Sequence, residues 1–212
     1  RQMCIRDSLY AFLDDMHAYA ASLGLALLPE IHTHYTLQAR LADHGYWVYD
    51  FVLPLLVLHT FFSGSSAKLQ AYLAHCPRKQ FTMLDCHDGI PVQPDMDDIL
   101  TVAESRAVVD RLRERGANVS PLHVREKHAG DFDAHQVNIT YYSALDADDD
   151  AYIAARAIQL FAPGVPQIYY VGLRAGENDD AAVARTGEYR AINRHDFTVD
   201  EIEAAVDRPV VR

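Results

Sequence analysis

Apolar residues recur at intervals of three and four along residues 8–23, where Leu9, Phe12, Leu13, Met16, Tyr19 and Ala20 share a face. That spacing predicts a helix, and Gly24 is placed to end it. A short apolar run over 25–31 predicts a strand. A second strand is predicted over 47–53, broken by Pro54, and a third over 81–84. Between those two strands, 55–62 and 67–75 read as helices on either side of Ser63-Gly64-Ser65-Ser66. Residues 96–116 predict a charged helix stopped by Gly116, 151–161 a helix with one apolar face, and 165–171 a fourth strand. Two stretches lack periodicity: the polar, histidine-rich 118–136, and 172–190 with Gly176, Asn178 and Asp179. Loops of this length are uncommon in compact domains and are usually functional. The alternation of strands and helices predicts parallel strands joined by helical crossovers, an α/β fold.

Two of these apolar runs end in polar clusters. Phe81-Thr82-Met83-Leu84 leads into Asp85-Cys86-His87-Asp88-Gly89, and Leu25-Ala26-Leu27-Leu28-Pro29 leads into Glu30-Ile31-His32. A buried strand that leaves its sheet in this way presents polar side chains at its C-terminal end, where catalytic groups sit in barrels of alternating strands and helices. Carboxylates at two such ends suggest glycoside chemistry, in which one carboxyl moves a proton and others meet developing positive charge. The plain structural alternative is that Asp85 and Asp88 cap a helix or satisfy a turn.

Composition narrows the field. Half of the 212 residues are hydrophobic, enough for a substantial core, yet no run of about eighteen apolar residues suggests a membrane span. The formal charge of −11 argues against nucleic acid as a partner. It also means that any site for phosphate must gather positive charge locally. Three cysteines, Cys4, Cys76 and Cys86, show no metal-ligand spacing and fit a reducing, cytoplasmic setting better than a disulfide framework. Cys86, between Asp85 and His87, invites a nucleophile reading, which the family resemblance described below sets aside because it implies a small residue with no catalytic role at this place. His32 and His34 have no third ligand at a useful spacing, so a site without metal is expected.

Four separate motifs, in order along the chain, carry a family resemblance. They are Leu84-Asp85-Cys86-His87-Asp88-Gly89-Ile90, Gln136-Val137-Asn138-Ile139-Thr140-Tyr141-Tyr142-Ser143-Ala144-Leu145, Phe161-Ala162-Pro163-Gly164-Val165-Pro166-Gln167-Ile168-Tyr169-Tyr170-Val171-Gly172 and Arg190-Ala191-Ile192-Asn193-Arg194-His195. Together they resemble the sucrose phosphorylases, retaining glucosyl phosphorylases of the α-amylase superfamily, from about Leu9 to the last residue. The resemblance implies the second half of a (β/α)8 TIM barrel, strands five to eight, with 25–31 as strand five and a long loop after strand seven. Half a barrel would leave two open sheet edges. Residues 1–8 do not match the family and read as a foreign stub. Residues 9–212 then form a partial catalytic domain, with the N-terminal half of the barrel and a C-terminal β domain expected outside the sequence. Asp7 stands too close to Glu30 to match the spacing of the family's nucleophile, which is therefore expected before residue 1.

Residue by residue, the resemblance makes Glu30 the acid/base, with an apolar wall supplied by Leu27, Leu28 and Pro29. Asp88 becomes the third carboxylate, which orients sugar hydroxyls and stabilises an oxocarbenium-like transition state. His87 donates to the same hydroxyls, His32 lines the cleft beside Glu30, and Arg190 contacts the glucosyl unit, although Ala191 replaces the acidic residue common beside it. Asp133 and Gln136 match acceptor-contacting positions of a loop that moves between fructose and phosphate in the family. His135 stands where tyrosine is common. It serves either as a neutral stand-in for that tyrosine or, as in relatives that split sucrose 6'-phosphate, as part of a fructosyl-phosphate site, with Lys127 and His128 adding positive charge. The implied activity is glucosyl transfer with retention from sucrose to inorganic phosphate. Sucrose 6'-phosphate, glucosylglycerol and glucosylglycerate are alternative substrates, and an inactive sugar-binding fragment is the rival from another class. No organic cofactor or metal is implied, no nucleic acid or membrane partner is expected, and a homodimer is compatible with the full-length protein.

Overall fold

The computed structural model describes residues 2–32, 34–92, 98–120 and 134–212. Helix α1 (Gln2–Ser22) stops as predicted at Gly24, whose φ of +71° suits a residue without a Cβ. Residues 25–31 are not the strand that the apolar run predicts. The Trp47 N–H donates to the Leu27 carbonyl at 3.1 Å, but no ladder develops, and Pro29 has no N–H to contribute to one.

Helix α2 (Tyr35–Asp43) leads to strand β1 (Val48–Asp50), helix α3 (Leu53–Ser63), helix α4 (Ala67–His75) and strand β2 (Gln80–Thr82). Strand β1 is shorter than the predicted 47–53 because Asp50 turns the chain. Its carboxylate accepts from the Val52 and Leu53 N–H groups at 3.2 and 3.0 Å, and Pro54 fits the first turn of α3, where its missing donor costs nothing. Leu53 and Leu55 to Leu58 are fully buried, as expected of a helix that is apolar all round. The glycine of the Ser63-Gly64-Ser65-Ser66 link ends α3 in the left-handed region.

Beyond β2 the chain departs from simple alternation. Strand β3 (Ile90–Pro91), helix α5 (Val102–Glu114), strand β4 (Asn118–Ser120) and strand β5 (Gln136–Asn138) come before helices α6 (Tyr141–Ala144) and α7 (Asp149–Phe161). Helix α5 starts at Val102 instead of the predicted 96, because Thr101 and Glu104 form a reciprocal capping box. Strand β6 (Val165–Pro166) follows, then helices α8 (Tyr170–Leu173) and α9 (Asp180–Thr186), a 3₁₀ turn (Tyr189–Asn193) and helix α10 (Val199–Val206). The predicted strand 165–171 is thus a two-residue strand followed by a turn of helix, and the predicted loop 172–190 contains α9.

Strands β1, β2 and β6 form a parallel sheet in chain order, with Tyr49 opposite Phe81 and Phe81 opposite Val165. Helical crossovers join them, as parallel pairing requires. A second, antiparallel sheet has the order β3-β5-β4. It is absent from the sequence reading because each of its strands places only one or two apolar residues in two or three positions, too few to show a period. It grows from the C-terminal end of β2 through a tight turn in which Cys86 and Gly89 exchange backbone hydrogen bonds of 3.0 and 2.9 Å. Gly89 has a φ of +99°, and a Cβ there would sit 2.3 Å from the Val137 carbonyl oxygen. Its freedom lets the turn lie flat on β5.

The main core gathers α3 with Leu84, Ile90, Val109, Val137 and Ile139, and a second, smaller cluster joins Val48 of β1 to Leu41 and Tyr46. Beneath the turn, Asp85 is buried and accepts from Arg156 of α7 at 2.8 Å. Arg156 also donates to the Tyr152 hydroxyl at 2.9 and 2.7 Å and to Gln159 at 2.8 Å, so each guanidinium nitrogen has a partner.

Candidate active site

Asp85 and Asp88 are only three residues apart, and the turn gives them different surroundings. Asp85 faces inward to Arg156, whereas Asp88 turns to the surface of the second sheet, where its side chain is 15% exposed. One Asp88 oxygen, Oδ1, forms an ion pair with Arg190 at 3.0 Å and accepts from Arg194 at 3.1 Å. The other, Oδ2, accepts from the Gln136 amide at 3.1 Å, and the Gln136 carbonyl oxygen takes a hydrogen bond from Arg190 at 3.0 Å. His87 approaches the same carboxylate at 3.5 Å and remains 65% exposed. The backbone is held as firmly: Asn138 donates to the Asp88 carbonyl at 2.8 Å, while Asn193 and Arg194 donate to the His87 carbonyl at 3.2 and 2.7 Å. With one oxygen held by two arginines and the other by an amide, Asp88 is suited to orienting and charge stabilisation, and poorly suited to attack.

Glu30 and His32 form a second group. The His32 Nε2 lies 2.8 Å from a Glu30 oxygen, and the imidazole stacks on Phe51, with centroids 4.7 Å apart and planes within 14°. His135 meets the other side of His32 edge-on at 4.8 Å. The row therefore runs Glu30, His32, His135, with Phe51 fixing the middle ring. Glu30 itself is 56% exposed, so the apolar wall expected from Leu27, Leu28 and Pro29 does not enclose it among the described residues.

The two groups meet through adjacent residues. His135 turns to His32, and Gln136, which opens β5, turns to Asp88 and Arg190. Of the residues predicted from sequence, Glu30, His32 and His135 come together in one group, and His87, Asp88, Gln136 and Arg190 in the other. Asp133, Lys127 and His128 lie outside the described residues. The sequence reading missed Arg194, Asn193 and Asn138 as site residues, although all three lie within motifs already singled out. Their signal is the spacing Arg190 to Arg194, one turn apart and both reaching the same carboxylate oxygen.

Burial pushes the Cys86 thiol up to about 11, with a smaller opposing effect from the Asp88 N–H at 3.4 Å, so it is a poor nucleophile near neutral pH. His34 faces away from His32, with its ring 2.9 Å from the Thr36 hydroxyl and 3.6 Å from Asp98. Among the described residues, no three His, Cys, Asp or Glu side chains gather as metal ligands, and no helix is long and apolar enough to cross a membrane.

Comparison with known proteins gives consistent similarities, although no family model matches the chain. The chain is 50% identical over 209 residues to the sucrose 6(F)-phosphate phosphorylase of Thermoanaerobacterium thermosaccharolyticum, a match that covers 98% of the chain and 43% of that protein. It is 46% identical to the sucrose phosphorylase of Streptococcus mutans, again over 98% of the chain and 43% of the relative. A glucosylglycerol phosphorylase from Marinobacter adhaerens is 38% identical over 98% of the chain. Among solved structures, that of a sucrose 6F-phosphate phosphorylase from Thermoanaerobacter thermosaccharolyticum superposes with a TM-score of 0.91 at 51% identity, covering 96% of the chain and 42% of the neighbour. The chain thus spans about 43% of the length of the curated relatives that it matches.

Proposed function

The chain belongs to the sucrose phosphorylase family over the segment that it spans, and from that premise we propose that the protein containing it transfers a glucosyl unit, with retention, from a fructosyl glucoside to inorganic phosphate. The junction at His135 and Gln136 carries this reading, because adjacent residues join an acid/base group to a carboxylate held by arginines. Retaining transfer needs a nucleophilic carboxylate and an acid/base carboxyl on the two sides of the scissile bond. In this proposal the nucleophile lies outside these 212 residues. It displaces the fructosyl oxygen to form a glucosyl-enzyme while Glu30 gives that oxygen a proton. Phosphate then attacks from the face that the fructosyl group left, breaking the glucosyl–enzyme bond and returning a proton to Glu30, and α-glucose 1-phosphate leaves with its configuration retained. Asp88 and His87 orient glucosyl hydroxyls, with Arg190 reaching the same unit.

Of the two fructosyl donors, we favour sucrose 6'-phosphate. His135 and His32 form an edge-to-face pair beside Glu30, and an imidazole there can donate to a phosphate. Two of the similar proteins, at 50% and 51% identity, carry that specificity in their names. Plain sucrose is the second reading, in which His135 replaces a neutral tyrosine. Free thiols at Cys76 and Cys86 suit the reducing cytoplasm in which we place this chemistry.

The test uses the protein that carries this chain at full length, with phosphate-dependent release of glucose 1-phosphate measured from sucrose and from sucrose 6'-phosphate. Preference for the phosphorylated donor is expected, and His135→Tyr should move it toward sucrose. Preference for sucrose that His135→Tyr leaves unchanged would overturn the donor assignment. Release from neither donor would overturn the phosphorylase reading and leave sugar binding without turnover.

A further inference from the structure

His195 lies outside both groups of the candidate site, yet it closes the segment that supplies both arginines to Asp88. Its Nδ1 is 2.6 Å from an Asp179 oxygen, and its Nε2 is 3.2 Å from a Glu201 oxygen. Each carboxylate is also a helix cap. The Asp179 side chain accepts from the Ala182 N–H at 2.7 Å at the start of α9, and Glu201 completes the capping box of α10 with Thr198. The Tyr170 hydroxyl donates to the His195 carbonyl at 2.8 Å, and Phe197 packs edge-on against the imidazole at 4.7 Å. A backbone bond of 2.8 Å from the Asp179 N–H to the Ile192 carbonyl ties the same clamp to the 3₁₀ turn.

On the other side of that turn stand Arg190 and Arg194, both on Asp88 Oδ1, and Asn193 on the Cys86 and His87 carbonyls. Residues 190–195 are therefore gripped at both ends, by the Asp88 turn and by two helix N-termini. We propose that His195 is a positioning residue: bridged between Asp179 and Glu201, it fixes the turn that aims Arg190 and Arg194 at Asp88. Its value for the reaction rests on the glucosyl-transfer reading above, whereas its effect on the arginines does not.

The clamp is strongest when the ring is charged between two carboxylates. Hydrogen bonding to Asp179 is the main cause that raises the His195 pKa, with Glu201 adding to it against burial. Asp179 is lowered chiefly by His195, with Arg185 contributing a weaker cationic effect, and Glu201 is lowered chiefly by the Thr198 N–H. Tyr170 meets only the His195 carbonyl, so it does not set the charge of the ring. The raised histidine contributes stability present below 6.5 and lost as pH rises through its folded value, while the carboxylates lose theirs only in acid. Positive charge on the clamp thus falls only as pH rises above the ordinary histidine range, and the grip on the arginines should loosen with it.

The experiment follows the Nε–H resonances of Arg190 and Arg194 by ¹⁵N NMR in the whole chain between pH 5 and 9, together with the His195 ring protons. In the wild-type chain, both arginine signals should move with the same midpoint as His195. His195→Gln should abolish that step, His195→Lys should hold the signals near their low-pH positions throughout, and Glu201→Gln should lower the midpoint while the fold is kept. An arginine step that persists in a folded His195→Gln chain, or arginine signals indifferent to His195 in the wild type, would overturn the proposal. Absence of enzymatic turnover in the full-length protein would leave this readout untouched, so failure of the activity reading is distinguishable from failure of the clamp.

Discussion

Replacing Arg156 by methionine isolates the foundation on which the Asp88 turn rests. Asp85 and Arg156 have side chains 3% and 10% exposed, so their ion pair is a buried one. An exposed pair would contribute about 0–1 kcal/mol. A buried pair broken on one side instead leaves an uncompensated charge, at a cost of about 3–5 kcal/mol. In this case Arg156 also carries the Tyr152 hydroxyl and Gln159, and its guanidinium packs so closely on Gly172 that a Cβ there would lie 2.0 Å from a guanidinium nitrogen. Burial opposes the charge on Arg156, but the Asp85 carboxylate overcomes it and the arginine pKa is raised. Arg156→Met should therefore lower the unfolding free energy by about 3–5 kcal/mol, a large share of the ~5–15 kcal/mol typical of a folded domain.

The assay is urea unfolding of the chain followed by circular dichroism at neutral pH, with the slope checked for constancy so that midpoints report stability. Asp85→Asn combined with Arg156→Met removes both charges, and the double variant should be more stable than the sum of the single losses implies, by about 0.5–3 kcal/mol. A loss below about 1 kcal/mol for Arg156→Met, or strict additivity in the cycle, would show that water reaches the pair. The assignment of Asp85 to the foundation and Asp88 to the site would then fail.

Two further outcomes follow from the structure. Burial pushes Asp50 up to about 6, against opposing hydrogen bonds from Tyr72, Leu53 and Val52, so its contribution is present below 3.8 and lost as pH rises through about 6. Asp50→Asn should flatten that part of the stability curve, a change on the order of 3 kcal/mol between pH 4 and pH 7, and an unchanged curve in pH-dependent urea titrations would refute the assignment. Gly89→Ala places a Cβ against the Val137 carbonyl at a positive φ and should cost about 1–3 kcal/mol while displacing the Asp88 turn. A melting midpoint within a degree of the wild type would argue that the turn is free to shift.

What the sequence showed was what local patterns can carry. The helix over 8–23, the Pro54 break, the link around Gly64 and the polar clusters after 25–29 and 81–84 all depend on residues within about ten positions, where periodicity and turn chemistry operate. Strand lengths were overestimated wherever a side chain turned the backbone early, as Asp50 does at the end of β1. Sheet β3-β5-β4 stayed hidden because its pairings, such as Val119 with Val137, link short segments across a long polar stretch. Asp88 was legible from the grammar of a strand end, but Arg194 was not, because their contact spans 106 residues.

The arginines explain how an acidic chain can gather positive charge at one place on its surface. With a formal charge of −11, the surface as a whole repels phosphate. Around Asp88 the balance reverses: Arg190 and Arg194 face a single carboxylate, so the cluster keeps a positive excess even with Asp88 ionised. Asp88 holds the two guanidinium groups close together, which their mutual repulsion would otherwise oppose. Arg190 is 45% exposed on this cluster and retains donors that face outward, so it can serve an incoming oxygen without releasing Asp88. Asp88 thus holds together cations that would otherwise separate, beside the role toward the sugar proposed for it above. That dual demand accounts for its burial beneath a turn pinned by Gln136, Asn138 and Asn193, since a freely rotating carboxylate could not hold both arginines at 3.0 and 3.1 Å.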